Sequence, residues 1–386
     1  MLNLTRELAY LILIFGLMVI PRVLQRFRIP APISSFGLGM AATLFLGSFS
    51  QDVTLSLLAT LGISSLFLFA GLEVDIEDFY RSKWPLMWHL FLRLLVLVAF
   101  VHLGMYFFNY SWQISALLAL AILTPSTGFI LDTLSTLEIN DDERYWIRMK
   151  AISGELFALL ALFVVLQSGS LQILAWSTLA LSGMIICVPL IFVWLGRLVI
   201  PHAKGSEFSL LLMMGVISAY LTYKLGVYYL VGAFMAGFIA KMLKKKLPSL
   251  ASEENLHAVQ MFASFFVPFY FFYKGMGVPG GAFSLDSLLI GVAITIVALP
   301  FRVGVVWTQR RFIKGETGVG SLRVATALTP TLIFTMVIAS ILREQFQISE
   351  ALYGGLLLYA GMSTILPAMF MTKPINFDLS PGKVRS

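Results

Sequence analysis

Ala121-Ile122-Leu123-Thr124-Pro125-Ser126-Thr127 and Thr326-Ala327-Leu328-Thr329-Pro330-Thr331 are the stretches on which the reading of this chain turns. Each sets a proline among hydroxyl side chains inside a long apolar run. Proline removes a backbone donor and its ring frees carbonyls one turn earlier. In a lipid environment no water satisfies those groups, so the break must be closed by protein or line a cavity. One proline of this kind is commonly only a kink. Two at related positions form crossed, discontinuous helices whose carbonyls and half-helix ends can face an ion.

The rest of the chain supplies the lipid context. Of its 386 residues 59% are hydrophobic and only 12% are charged, where water-soluble domains carry about a quarter charged residues. Apolar runs of helical rather than strand length exclude both a soluble globular protein and a β-barrel. Thirteen spans are predicted, at 7–23, 31–48, 53–74, 84–109, 113–132, 146–168, 171–199, 207–223, 226–243, 257–276, 284–309, 320–343 and 349–371. The first is a helix rather than a cleaved signal, because it lacks a small-residue cleavage site and runs into Pro21, Arg22 and the basic stretch 26–28. Cys187 is the single cysteine, so no disulfide framework supports the fold. The net charge of +7 does not mark a nucleic-acid binder, since the basic residues sit at the ends of apolar runs. His89, His102, His202 and His257 show no ligand spacing, which argues against a transition-metal site.

Basic residues should fall in alternate loops, on the cytoplasmic side. Arg22, Arg26, Arg28, Arg81, Lys83, Arg144, Arg148, Lys150, Arg197, Lys204, Lys241, Lys244–Lys246, Arg310, Arg311, Lys314, Lys373, Lys383 and Arg385 do so, following the odd-numbered spans. The other side holds only Arg6, Lys224, Lys274 and Arg343. The expected topology has the N-terminus outside and the C-terminus in the cytoplasm. The Lys244–Lys246 cluster then reads as an inside anchor able to touch anionic lipid.

Three irregularities recur seven spans apart, an offset that inverts orientation. The two Thr-Pro breaks are the first pair. Span three ends in Gly71-Leu72-Glu73, and span ten ends in Lys274-Gly275-Met276-Gly277. Span four holds Arg93 within an apolar run, and span eleven holds Arg302. The predicted repeats are spans two to six and nine to thirteen.

Ionisable groups inside a bilayer are costly and therefore candidates for function. Glu155, in Ser153-Gly154-Glu155-Leu156, is placed roughly 13 Å into span six. A carboxylate withdrawn from water binds a proton readily, while a bound cation favours its ionised form. Competition of proton and cation for one acid is the minimal chemistry of an exchanger. Glu155 with the hydroxyls of Thr124, Ser126, Thr127, Ser153, Thr329 and Thr331 is the candidate ion and proton site, with Pro125 and Pro330 as the helix breaks. Arg302, permanently charged, is the candidate countercharge; a purely structural Glu155–Arg302 pair is the competing reading. Arg93 is expected to pair with a helix end or carbonyl, and Lys150 to snorkel. Glu73, Asp75 and Asp132 read as charges at span ends.

Three segments carry a resemblance to a known family. Phe67-Leu-Phe-Ala-Gly-Leu-Glu-Val-Asp75, Val231-Gly-Ala-Phe-Met-Ala-Gly-Phe238 and Pro268-Phe-Tyr-Phe-Phe-Tyr-Lys-Gly-Met-Gly277 resemble motifs of the monovalent cation:proton antiporter-2 group, which includes Kef-type potassium/proton and bacterial sodium/proton exchangers. The likeness runs in matching order through nearly the whole chain. It implies an all-α integral membrane fold of two inverted five-helix repeats, in the cell membrane, the inner one in a bacterium. It also implies a homodimer in which 1–83 and 205–280 form a dimerisation domain, 84–168 and 281–373 a moving core, 169–204 a linker helix, and 374–386 a short cytoplasmic tail. The family carboxylate falls on Glu155, the breaks on Thr124–Thr127 and Thr329–Thr331, and the basic residue of span eleven on Arg302. Na+ or K+ and H+ are then the transported ions, with no cofactor and no enzymatic activity. A single membrane carboxylate favours electroneutral exchange.

The departures from the pattern are Gly154-Glu155, where relatives carry a polar residue and Asp, and Thr329-Pro330-Thr331-Leu332, where Kef-type proteins carry Gly-Glu-Phe. Kef-type proteins commonly continue into a nucleotide-binding regulatory domain, so regulation here is expected from a separate cytoplasmic subunit. A sodium-coupled symporter of an organic anion and a non-transporting membrane subunit are the alternative functions.

Overall fold

The computed structural model describes residues 6–45, 52–134, 137, 139–203, 205–225, 228–313, 315 and 318–371. Lys204, Lys314, Lys373, Lys383, Arg385 and the tail 374–386 lie outside the described residues.

The chain is helical throughout: α1 Arg6–Gln25, α2 Ala31–Phe45, α3 Val53–Leu72, α4 Ile76–Arg81, α5 Lys83–Phe108, α6 Trp112–Leu123, α7 Thr127–Thr133, α8 Asp141–Gln167, α9 Leu171–Val199, α10 Glu207–Lys224, α11 Tyr229–Met242, α12 Glu253–Met276, α13 Leu285–Thr308, α14 Gly318–Ala327, α15 Leu332–Phe346 and α16 Glu350–Met371. Among the described residues, each segment predicted to be a span contains helix. Among the described residues eight stretches, one of them running through α6 and α7, are long and apolar enough to cross a membrane unaided. The α14–α15 pair, bent by 43°, makes a ninth. Both predicted breaks are present.

Side-chain chemistry sets the helix ends. Asp52, Ser111, Ser170, Ser252 and Ser284 each accept from an amide of the first turn of the helix that follows, satisfying donors a helix cannot pair internally. Asn140 and Glu143 form a reciprocal capping box, which starts α8 five residues before the predicted 146. Arg144 therefore lies within α8 rather than in a loop, and Arg148 and Lys150 stand further along the helix than predicted. Arg148 reaches Asp78 at 2.8 Å, and the buried Glu143 pairs with Arg323 of α14 at 2.7 Å. The short α4 was not anticipated; Asp75 caps it by accepting from Glu77 N.

Two groups of helices result. In one, α3 packs along α12, α11 and α10, and α2 along α12 and α1. Glycine permits the closest crossings: a Cβ on Gly71 would overlap the carbonyl of Phe234 on α11, and one on Gly237 would overlap the carbonyl of Leu68 on α3. Two of the segments that carried the family resemblance are thus the two sides of one backbone-to-backbone contact. The second group gathers α5, α6, α8 and α13–α16, with α6 against α15 and α13 against α16. The outer face of α5 is apolar and open, with Trp84, Trp88, Phe91 and Leu95 exposed, as a lipid-facing helix should be.

Candidate functional site

Pro125 and Pro330 follow the ends of α6 and α14, and the non-helical residues around them bring the two chain breaks into contact. Ser126 N donates to the carbonyl of Pro330 at 2.8 Å. Ser126 Oγ accepts from Ile333 N at 2.9 Å and Phe334 N at 3.3 Å, so a residue of the first break caps the helix that follows the second. Thr335 Oγ1 donates to the carbonyl of Ala121 at 2.6 Å, tying α15 back to α6. The two Thr-Pro breaks meet one another.

Glu155 lies against this junction. With α8 starting at Asp141, the acid is about 21 Å along its helix rather than the expected 13 Å. It is buried at 2% exposure, and its Oε2 accepts from Thr127 N, the first amide of α7, at 3.2 Å. Among the described residues no basic side chain forms an ion pair with it. Thr127 Oγ1 is buried beside it without a partner. The site thus offers a carboxylate and a hydroxyl oxygen whose lone pairs are not consumed by the fold.

The other predicted residues divide. Ser126 is structural in its bonding, as described. Ser153 Oγ donates to the carbonyl of Lys150 in its own helix. Thr329 Oγ1 donates to the carbonyls of Thr326 and Ser363, and Thr331 Oγ1 meets Ser363 Oγ at 3.0 Å. Thr124 is buried at the end of α6 and lines a cavity together with Arg93 and Arg302.

Arg302 is not placed as a direct countercharge to Glu155. Its Nη1 donates to the carbonyl of Thr329 at 2.8 Å and to Tyr359 Oη at 2.9 Å, and its Nη2 to the carbonyl of Leu328 at 2.9 Å. These carbonyls lie just past the negative end of α14, where no following turn pairs them, and a fixed guanidinium satisfies them. Arg93 plays the corresponding part at the first break, donating from Nη2 to the carbonyl of Leu123 at 3.3 Å. Its guanidinium packs against Gly154, where an added Cβ would overlap Nη1. The unusual Gly154 therefore makes room for Arg93. Lys150 does not snorkel: it is buried and donates to Gln309 Oε1 at 2.5 Å, because α8 begins earlier than predicted and carries it inward.

Sequence reasoning missed Tyr359 and Ser363 of α16. Tyr359 accepts from Arg302 and donates to the carbonyl of Ile122 at 2.7 Å, linking the two breaks. The available signal was the cluster of hydroxyl side chains Tyr359, Ser363 and Thr364 in an otherwise apolar stretch of α16.

Two linked helix breaks beside a buried, unpaired acid are features of an ion-translocating membrane protein. The transmembrane sodium/hydrogen exchanger family matches residues 10–375, and the chain belongs to that family. It is 27% identical over 354 residues to the probable Na(+)/H(+) antiporter 3 of Methanocaldococcus jannaschii, covering 87% of this chain and 88% of that one. Its fold is similar to the structure of the sodium proton antiporter MjNhaP1 from Methanocaldococcus jannaschii at pH 8, with a TM-score of 0.69 at 15% identity, covering 94% of this chain and 95% of that one.

Proposed function

We propose that the protein exchanges a monovalent cation, Na+ or K+, for H+ across the membrane, with Glu155 as the group that proton and cation occupy in turn. The observation that carries this reading is the buried carboxylate held by one backbone amide and no ion pair among the described residues, beside the partnerless hydroxyl of Thr127. A carboxylate committed to a salt bridge could not give up its charge cheaply, whereas this one has lone pairs left for a metal ion. Family membership and the sodium/proton relative support the same reading.

The chain crosses the membrane thirteen times as two inverted repeats, N-terminus outside. Because the breaks are sewn to each other, α5–α8 and α13–α16 move together as one core against the glycine-packed group, an elevator-like step in which the glycine-packed group anchors a homodimer. With one titrating acid, one proton leaves for one cation, and exchange is electroneutral. Thr127 supplies a second oxygen to the ion, while Ser126, Thr329 and Thr331 hold the breaks that frame it.

The test is cation-driven proton flux in proteoliposomes. Glu155→Gln should leave the purified protein folded, with flux at the level of empty vesicles; flux equal to wild type would end the proposal. For the wild type, competition at one site requires the apparent cation affinity to fall by up to about tenfold for each unit of acidification once the acid is mostly protonated. Cation-dependent uptake of an organic anion without proton movement would favour a symporter instead.

A further inference from the structure

On the side of α8 next to Gly154 is a cavity of about 60 Å³ that ion exchange at Glu155 does not use. Four cationic or titratable side chains line it, His89, Arg93, Lys150 and Arg302, and no carboxylate does. The chain's own groups account for some of this charge. Arg302 is held by two carbonyls and Tyr359, and Lys150 by Gln309. The remainder is not matched. Arg93 makes one hydrogen bond, 3.3 Å long, although a guanidinium carries five N–H groups. His89 is 4% exposed; its Nδ1 accepts from Lys150 Nζ at 3.4 Å, which leaves the ring proton on Nε2, and Nε2 is buried with no partner. Like charges gathered in a low-dielectric interior are costly without a counterion, and the carbonyl ends of α6 and α14 offset only part of that cost.

We infer that this cavity is an oxyanion-binding site, in which Arg93 and the Nε2–H of His89 hold a phosphate or carboxylate group. The apolar remainder of the lining favours a group carried on an acyl chain. Phe157 and Phe301 form part of the wall, and Phe301 is itself 40% exposed, which opens the site toward the same apolar surface that Phe91 and Leu95 present on α5. The volume exceeds the 10–15 Å³ or so that one water needs, and a charged headgroup seated there lets its chain run out along α5.

Native mass spectrometry of the detergent-purified full-length protein tests the site, with phosphatidylglycerol, phosphatidylcholine and inorganic phosphate as separate probes. Wild type is expected to retain one phosphatidylglycerol beyond any held by Arg93→Gln, whose affinity for that last lipid should be lower by about tenfold or more, the loss of a charge-assisted hydrogen bond. Val96→Trp fills the apolar part of the lining and leaves every charge in place; it should lose the same lipid, and it guards against misfolding of the Arg93 variant. Equal retention of phosphatidylglycerol by all three proteins, or equal retention of phosphatidylcholine, overturns the site. Displacement of the lipid by millimolar phosphate from wild type alone supports the oxyanion chemistry and assigns the pocket to a free anion, overturning the acyl-chain part.

Discussion

The two Thr-Pro breaks share the local sequence Leu-Thr-Pro but differ in how completely their groups are paired. At the second, Arg302 takes the carbonyls of Leu328 and Thr329, Ser363 meets the hydroxyls of Thr329 and Thr331, and Ser126 caps α15 from the first break. At the first, the Thr127 amide points at Glu155 and the Thr127 hydroxyl has no partner. Duplicated chemistry has thus been saturated on one side and left open on the other. A buried polar group without a partner is costly in a lipid-embedded protein, and it persists where an ion can complete it. On the function proposed above, the first break is the reactive half, and the second is the brace that holds it.

Removing Glu155 tests the reactive half, and the expected loss of all flux is the largest effect. Removing Arg302 tests the brace. Arg302→Met leaves two carbonyls and the Tyr359 hydroxyl without their donor, and should destabilise the protein by about 2–4 kcal/mol, read as a lowered midpoint of thermal unfolding. Because Arg302 acts on α14 and not on the acid, the pH at which residual exchange is half-maximal should stay near that of wild type. A large shift of that midpoint with unchanged stability would make Arg302 the countercharge of Glu155 and erase the contrast. Arg302→Lys should recover only part of the loss, since an ammonium cannot reproduce the guanidinium fork. Ser126→Ala comes next. It uncaps Ile333 and Phe334 and should cost about 1–2 kcal/mol. Its effect on flux should track its effect on stability, because Ser126 Oγ is occupied by amides.

The breaks themselves were legible because proline among hydroxyls in a lipid-length run has few physical interpretations, and Glu155 because a lone acid at that depth has few alternatives. Gly71 and Gly237 could be seen as motif glycines, but that each exists for the other's backbone required the crossing of α3 and α11. Gly154 read as a departure from pattern, and only the structure shows that Arg93 occupies its missing side chain's space. Lys150 was assigned to the interface from its distance to a predicted span end. A capping box at Asn140 and Glu143, four residues of charge ahead of the apolar run, moved that end. Tyr359 and Ser363 escaped notice because a hydroxyl in a transmembrane helix usually bonds its own backbone, and sequence spacing does not say which will reach a neighbour.

Thr127→Val is the smallest change and the sharpest probe of the difference between the breaks. The substitution keeps the side-chain shape and the backbone amide that meets Glu155, and removes only Oγ1. If that oxygen were part of the frame, as the hydroxyls of Thr329 and Thr331 are, the unfolding midpoint would drop. Since it bonds no group of the frame, deleting it should leave stability nearly unchanged. The cost should appear in transport instead: losing one neutral oxygen from the ion's surroundings should weaken apparent cation affinity by roughly fivefold, about 1 kcal/mol, with maximal flux little changed. Thr331→Val should do the reverse, lowering stability with affinity intact, because its hydroxyl is already taken by Ser363. If both valines behave alike, the two breaks are equivalent, and the division into an open half and a braced half is wrong.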